Sequence, residues 1–124
     1  MATGRFHLYN KVRQLFVQFE QSTRKLPVSV KRGQVARIED ELVQILVDLC
    51  YADEAADDSK VKDRLAFIAM VGDTLHDVMI RIRVLHDLKF IKDKSFNALT
   101  KIEDNAAGQL AGWKIATENR IEKQ

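Results

Sequence analysis

The chain has 124 residues, 46% of them hydrophobic and 31% charged, with a formal net charge of +2. This length and balance describe one globular domain that buries a core without disulfides or metals, and so small a charge does not by itself argue for nucleic acid. The single cysteine, Cys50, excludes an internal disulfide and a cysteine-based zinc cluster; apolar runs such as Val43 to Val47 fall far short of the roughly 20 residues that span a bilayer, and the opening MATGRFHLYNKVR has no apolar signal core, so no membrane contact and a cytoplasmic location are expected.

One proline and five glycines leave little turn chemistry for a β-protein, and apolar residues recur at helical spacing almost throughout. The first segment, about 8–25, places Leu8, Val12, Leu15, Phe16 and Phe19 on one stripe and is ended by Leu26 and Pro27. The second, about 29–54, carries Val35, Ile38, Leu42, Ile45, Leu46 and Leu49. Ser29 is its candidate cap, Gly33 weakens its first turns, and Cys50 falls on its apolar face, where a buried and inert thiol is expected. An acidic break at 52–59 follows, with Asp57, Asp58 and Ser59 suited to a helix N-terminus. The third segment, about 59–89, aligns Val61, Leu65, Ile68, Val71, Leu75, Met79 and Ile82; the fourth, about 95–119, aligns Leu99, Ile102, Ala106, Leu110 and Trp113 behind Ser95 as a candidate cap. Four amphipathic helices with short connections predict an all-α fold, an up-down-up-down antiparallel four-helix bundle forming a single domain over 1–124.

Two glycines four residues apart, Gly108 and Gly112, interrupt the fourth segment, each costing a helix roughly 1 kcal/mol relative to Ala. At 100° per residue Trp113 falls within about 20° of Ala106 and points to the core, whereas Gly108, Ala111, Gly112 and Ile115 face the other way. Small residues on an outward face admit a second helix. The third segment is apolar on its outer side as well, at Ala66, Met70, Ile80 and Val84, with Phe67 on a flank. A small bundle has no deep interior for one helix, so self-association through these faces is the preferred reading over tolerated surface residues.

The charges segregate by end. Arg24, Lys25, Lys31, Arg32 and Arg37 cluster about the first turn, and Lys89, Lys92 and Lys94 about the third, opposed only by Asp87 and Asp93. The second turn, at the opposite end, holds Asp48, Asp53, Glu54, Asp57, Asp58 and Asp63 against Lys60 and Lys62. Several basic ends gathered in an oligomer would attract a polyanion better than one. Equally, these are the residues expected in solvated turns, where Lys and Arg complement helix C-termini.

No catalytic constellation is present. His7, His76 and His86 form no i, i+4 pair, no Glu-x-x-His occurs, and neither a phosphate-binding glycine loop nor a Gly-x-Ser-x-Gly elbow is found, so no enzyme activity, metal, cofactor or small-molecule substrate is expected. His86 lies on the core stripe, a satisfied buried or half-buried histidine.

The stretches LPVSVKRGQVARIEDELVQIL and RIRVLHDLKFIKDKSFNALTKIEDNAAGQLAGWK, within residues 9–117, resemble the accessory variability determinant family of diversity-generating retroelements. Leu26 and Pro27, the LHDLKFI stretch, KSF ahead of the fourth helix and the small-Gly-Trp ending at 111–113 carry the resemblance. The wider group includes the four-helix proteins encoded in ribosomal RNA intervening sequences. The resemblance implies a homopentameric barrel that associates with a reverse transcriptase and template RNA or cDNA and assists mutagenic reverse transcription. It makes Arg83 a basic position on the third helix and matches Arg24, Lys31 and Arg32 loosely to a basic first turn. Met79 stands where the family often has another basic residue. The alternative is a structural or interaction protein of the same fold that binds no nucleic acid.

Overall fold

The computed structural model describes residues 3–55 and 60–123, the side chains of 3–6 excepted. Helix α1 runs over Thr3–Thr23. Helix α2 is continuous from an α turn at Val28–Val30 through a π segment at Lys31–Val35 into Ala36–Glu54. Helices α3 and α4 cover Val61–Asp87 and Asp93–Glu122, and among the described residues there is no strand. α2 packs on α3, α3 on α4, α4 on α1 and, less extensively, α1 on α2. That cyclic order of neighbours, with short connections, is an all-α four-helix bundle.

The buried stripes of α2 and α3 step by three and four residues alternately, which keeps a narrow seam facing the neighbours. On α3 it reads Val61, Arg64, Ile68, Val71, Leu75, Val78, Ile82 and Leu85; on α2 it reads Val35, Ile38, Leu42, Ile45, Leu49 and Ala52. These meet Leu8, Val12, Leu15 and Phe19 of α1 and Leu99, Ala106 and Leu110 of α4 in one core. A fully buried Leu, Ile or Phe contributes about 1.5–3 kcal/mol, so these stripes dominate stability.

The seam is narrower than the spacing predicts. Leu65 and Met79 are half-buried flankers, and Val78 takes the inward place between Leu75 and Ile82. For the same reason Cys50, adjacent to the seam residue Leu49, is exposed rather than buried. Trp113 is likewise half-buried, packed against the core edge with the Arg64 guanidinium carbon 5.7 Å from its ring centroid. Arg64 is itself buried, and its Nε donates to the Ala52 carbonyl at 3.2 Å. Asp48, counted above with the acidic end, is buried and accepts from Gln44 Nε2 at 3.0 Å. Asp57, Asp58 and Ser59 lie outside the described residues.

The ends differ from the predicted bounds by a few residues. α1 stops at Thr23, whose hydroxyl donates to the Phe19 carbonyl at 2.9 Å. Pro27 stands at the N-cap of α2, so Ser29 lies in its first turn; Lys92 stands at the N-cap of α4, and Ser95 is inside that helix rather than capping it. The close of α3 is more specific. The Phe90 N–H reaches the Leu85 carbonyl at 2.9 Å and the Lys89 N–H the His86 carbonyl at 3.0 Å, the paired bonds of a Schellman ending. Lys89 therefore takes the left-handed position, φ 70°, where glycine is favoured.

Candidate nucleic-acid interface

Up-down topology brings the first and third turns to one end of the bundle. Lys25, Arg32, Lys92 and Lys94 are exposed there and make no ion pair among the described residues. Lys31 ties the first turn together, its Nζ donating to the Arg24 carbonyl at 2.9 Å, as a cation does at a helix C-terminus. Arg24 is engaged in a two-pronged pair, Nη2 at 2.7 Å and Nε at 3.1 Å from the Glu20 carboxylate. The hydrogen bond from Arg24 holds the Glu20 carboxyl below its ordinary range.

The structure separates two of the candidate basic residues from this end. Arg37 lies deeper along α2 with Nε 3.9 Å from Glu41 Oε1, and Arg83 is exposed on the wall of α3. Arg37 lines a cleft of about 640 Å³ between α2 and α3, together with Gly33, Asp77, Ile80, Arg81 and Val84. Arg81 Nε lies 2.8 Å from the same Glu41 oxygen, so one carboxylate serves both guanidinium groups.

His86 was placed by the spacing on the inner stripe, but its partner was not visible there. The ring is half-buried, with Nε2 2.7 Å from Asp93 Oδ1 at the start of α4 and Nδ1 4.0 Å from Asp87 Oδ1. It stacks on Phe96, centroids 4.1 Å apart and planes within 6°. The hydrogen bond from His86 holds the Asp93 carboxyl below the usual range, with the His86 and Lys89 charges acting in the same direction. Arg64 beneath Trp113 is the other pairing that the sequence conceals; both join residues on different helices, beyond the reach of local periodicity.

The outer walls carry the candidate self-association residues. Met70, Ile80 and Val84 are exposed at 47%, 45% and 44%, so α3 does present an apolar outer side. Gly108, Ala111, Gly112 and Ile115 are exposed on α4. A Cβ built on Gly108 or Gly112 meets nothing within 4 Å, so packing within the protomer does not require either glycine. Between α3 and α4 runs a second groove of about 400 Å³, lined among others by Gly72, Glu103, Ala107 and Ala111. Burial, then the neighbouring Asp104, pushes the Glu103 carboxyl up to about 7.

Among the described residues no helix is long and apolar enough to cross a membrane. The fold and this surface define an all-α four-helix bundle with a lysine-rich end. Comparison of the chain with protein-family models, with characterised proteins and with solved structures finds no match in any of the three.

Proposed function

We propose that the protein is a non-enzymatic accessory protein of a diversity-generating retroelement, whose basic end binds template RNA or cDNA while the bundle associates with the reverse transcriptase. The observation that carries the nucleic-acid part is Lys89. An L-residue in the left-handed region costs roughly 1–2 kcal/mol, which glycine avoids. A lysine at φ 70° beside Lys92 and Lys94 is consistent with a charge retained for binding at the expense of stability.

Self-association, as a homopentamer in the family resembled, would gather these ends into one rim. Met70, Ile80 and Val84 of α3, with Gly108, Ala111, Gly112 and Ile115 of α4, are the surfaces proposed for it.

The alternative, an interaction protein of the ribosomal RNA intervening-sequence type without nucleic acid, draws on the pairing of Arg24 with Glu20 and of Arg37 with Glu41, which withdraws charge from a polyanion. The raised 260/280 nm absorbance ratio of copurified nucleic acid distinguishes the two: a ratio typical of protein alone, together with no binding of added RNA at low salt, favours the alternative.

A further inference from the structure

The third turn carries three cations, Lys89, Lys92 and Lys94, and two carboxylates, Asp87 and Asp93. With a neutral imidazole between the carboxylates its formal charge is therefore +1; with an imidazolium it is +2. Both carboxylates are well exposed, 71% for Asp87 and 92% for Asp93, so their charges act on any polyanion brought to these lysines.

The His86 ring is fixed where its proton matters most. Phe96 stacks flat against one face, at 4.1 Å and 6°, which prevents the ring from swinging away. Nε2 then faces Asp93 Oδ1 at 2.7 Å. Asp93 lies in the first turn of α4, where the helix dipole stabilises its negative charge, and its hydrogen bond from His86 keeps it ionised to lower pH. Asp93 therefore does not lose its charge between pH 5 and 8, the range in which an imidazole changes its own.

The charged groups around the ring are Asp87 on its own helix, Lys89 in the turn and Asp93 on α4; across the end of the bundle stand Lys25, Lys31, Arg32 and Arg24, the last held by Glu20. The other two histidines and Glu103 are remote: His7 lies near the start of α1, at the opposite end, while His76 lies ten residues before His86 and Glu103 ten after Asp93, about 15 Å along a helix, which exceeds the Debye length of about 10 Å at 0.1 M salt.

We infer that His86 is the proton-responsive member of the basic end: protonated, it neutralises Asp93 and leaves the three lysines opposed by Asp87 alone, and neutral, it leaves the Asp93 charge among them, so that single-stranded RNA is held more tightly in mild acid and released as pH rises. This rests on the basic end being an RNA-binding rim. By linkage, RNA binding raises the proton affinity of His86 by the same factor.

The magnitude follows from counterion release. One further neutralised phosphate, at a slope of about 0.7 for single strands, strengthens binding about fivefold at 0.1 M salt for each subunit in contact. The test is fluorescence anisotropy of a labelled oligouridylate of about 20 nucleotides, a probe that itself takes up no proton here, titrated at constant salt at about pH 8 and about pH 5.5. Wild-type protein should bind at least fivefold tighter at the lower pH. His86→Gln should bind at both pH values with that difference gone, while His76→Gln and Glu103→Gln should keep it. Asp93→Asn, which removes the opposing charge directly, should bind at pH 8 about as tightly as wild type does at pH 5.5. Equal wild-type affinity at the two pH values, or a pH response that survives in His86→Gln, overturns the switch and leaves the rim intact. No binding at either pH removes the rim and the switch together.

Discussion

Replacing Lys89 by glycine separates what stabilises the protein from what is proposed to bind. Lys89 sits at φ 70° in the ending of α3, closed by the Phe90 to Leu85 and Lys89 to His86 bonds. Relief of the left-handed backbone is worth about 1–2 kcal/mol, and the greater freedom of glycine in the unfolded chain returns about 0.4–1 kcal/mol. The variant should therefore be more stable by about 0.5–1 kcal/mol, a rise in Tm of about 2–5 °C for a domain of this size. Far-UV circular dichroism melts at one fixed protein concentration measure it, since any oligomer makes Tm depend on concentration. The same variant loses one rim charge per subunit and should bind oligouridylate about fivefold more weakly at 0.1 M salt. A lower Tm would show that the Lys89 side chain stabilises the turn, and the argument from backbone cost would fail.

Gly112→Leu meets open space in the protomer, so helicity should be kept while light scattering shows smaller particles; an oligomer of unchanged size would place that glycine outside any interface. Trp113→Ala should cost about 2–3 kcal/mol, below the full cost of a buried aromatic because the ring is half-buried and packs against Arg64, as urea unfolding would measure. Glu103 has a folded pKa raised to about 7 by burial and Asp104, above its unfolded value. Its contribution to stability is therefore fully present below about pH 4.5 and is lost as pH rises through about 7. Glu103→Gln should flatten that decline and, allowing for solvent screening, stabilise by about 1 kcal/mol at pH 8 with little effect at pH 4.5; an unchanged slope would place the carboxyl in water.

The four stripes are legible in the sequence because three-four spacing of Leu, Ile and Val dictates which side of a helix avoids water. Their fine register is not, since Met79 against Val78, or Leu49 against Cys50, turns on how narrow the seam is, and that depends on the neighbouring helix. Helix ends are similarly local competitions: Lys92 and Asp93 begin α4 ahead of Ser95, although Ser95 is by residue type the better cap. The segregation of charge is also legible, because it follows from topology alone. The actual partners of those charges are not. Arg24 with Glu20 is an i, i+4 pair that could be read from spacing, but His86 with Asp93 spans a turn and Arg64 with Trp113 joins α3 to α4. Nothing in the periodicity distinguishes an exposed glycine awaiting a partner from one that is merely tolerated; the open space beside Gly108 and Gly112 shows only that packing within the protomer does not require them.

If the lysine-rich end holds RNA by charge, as proposed, the affinity for oligouridylate must fall steeply with salt. Each phosphate neutralised contributes a slope of about −0.7 in the logarithm of affinity against that of salt concentration. Lys31, Arg32, Lys92 and Lys94 changed together to Gln should weaken binding and flatten that slope by up to about 3 without altering oligomer size or helicity, whereas Asp53→Asn at the opposite end should leave both affinity and slope in place. Binding that is absent at low salt, or a slope indifferent to the four substitutions, would contradict the account and leave a bundle that acts through protein contacts alone.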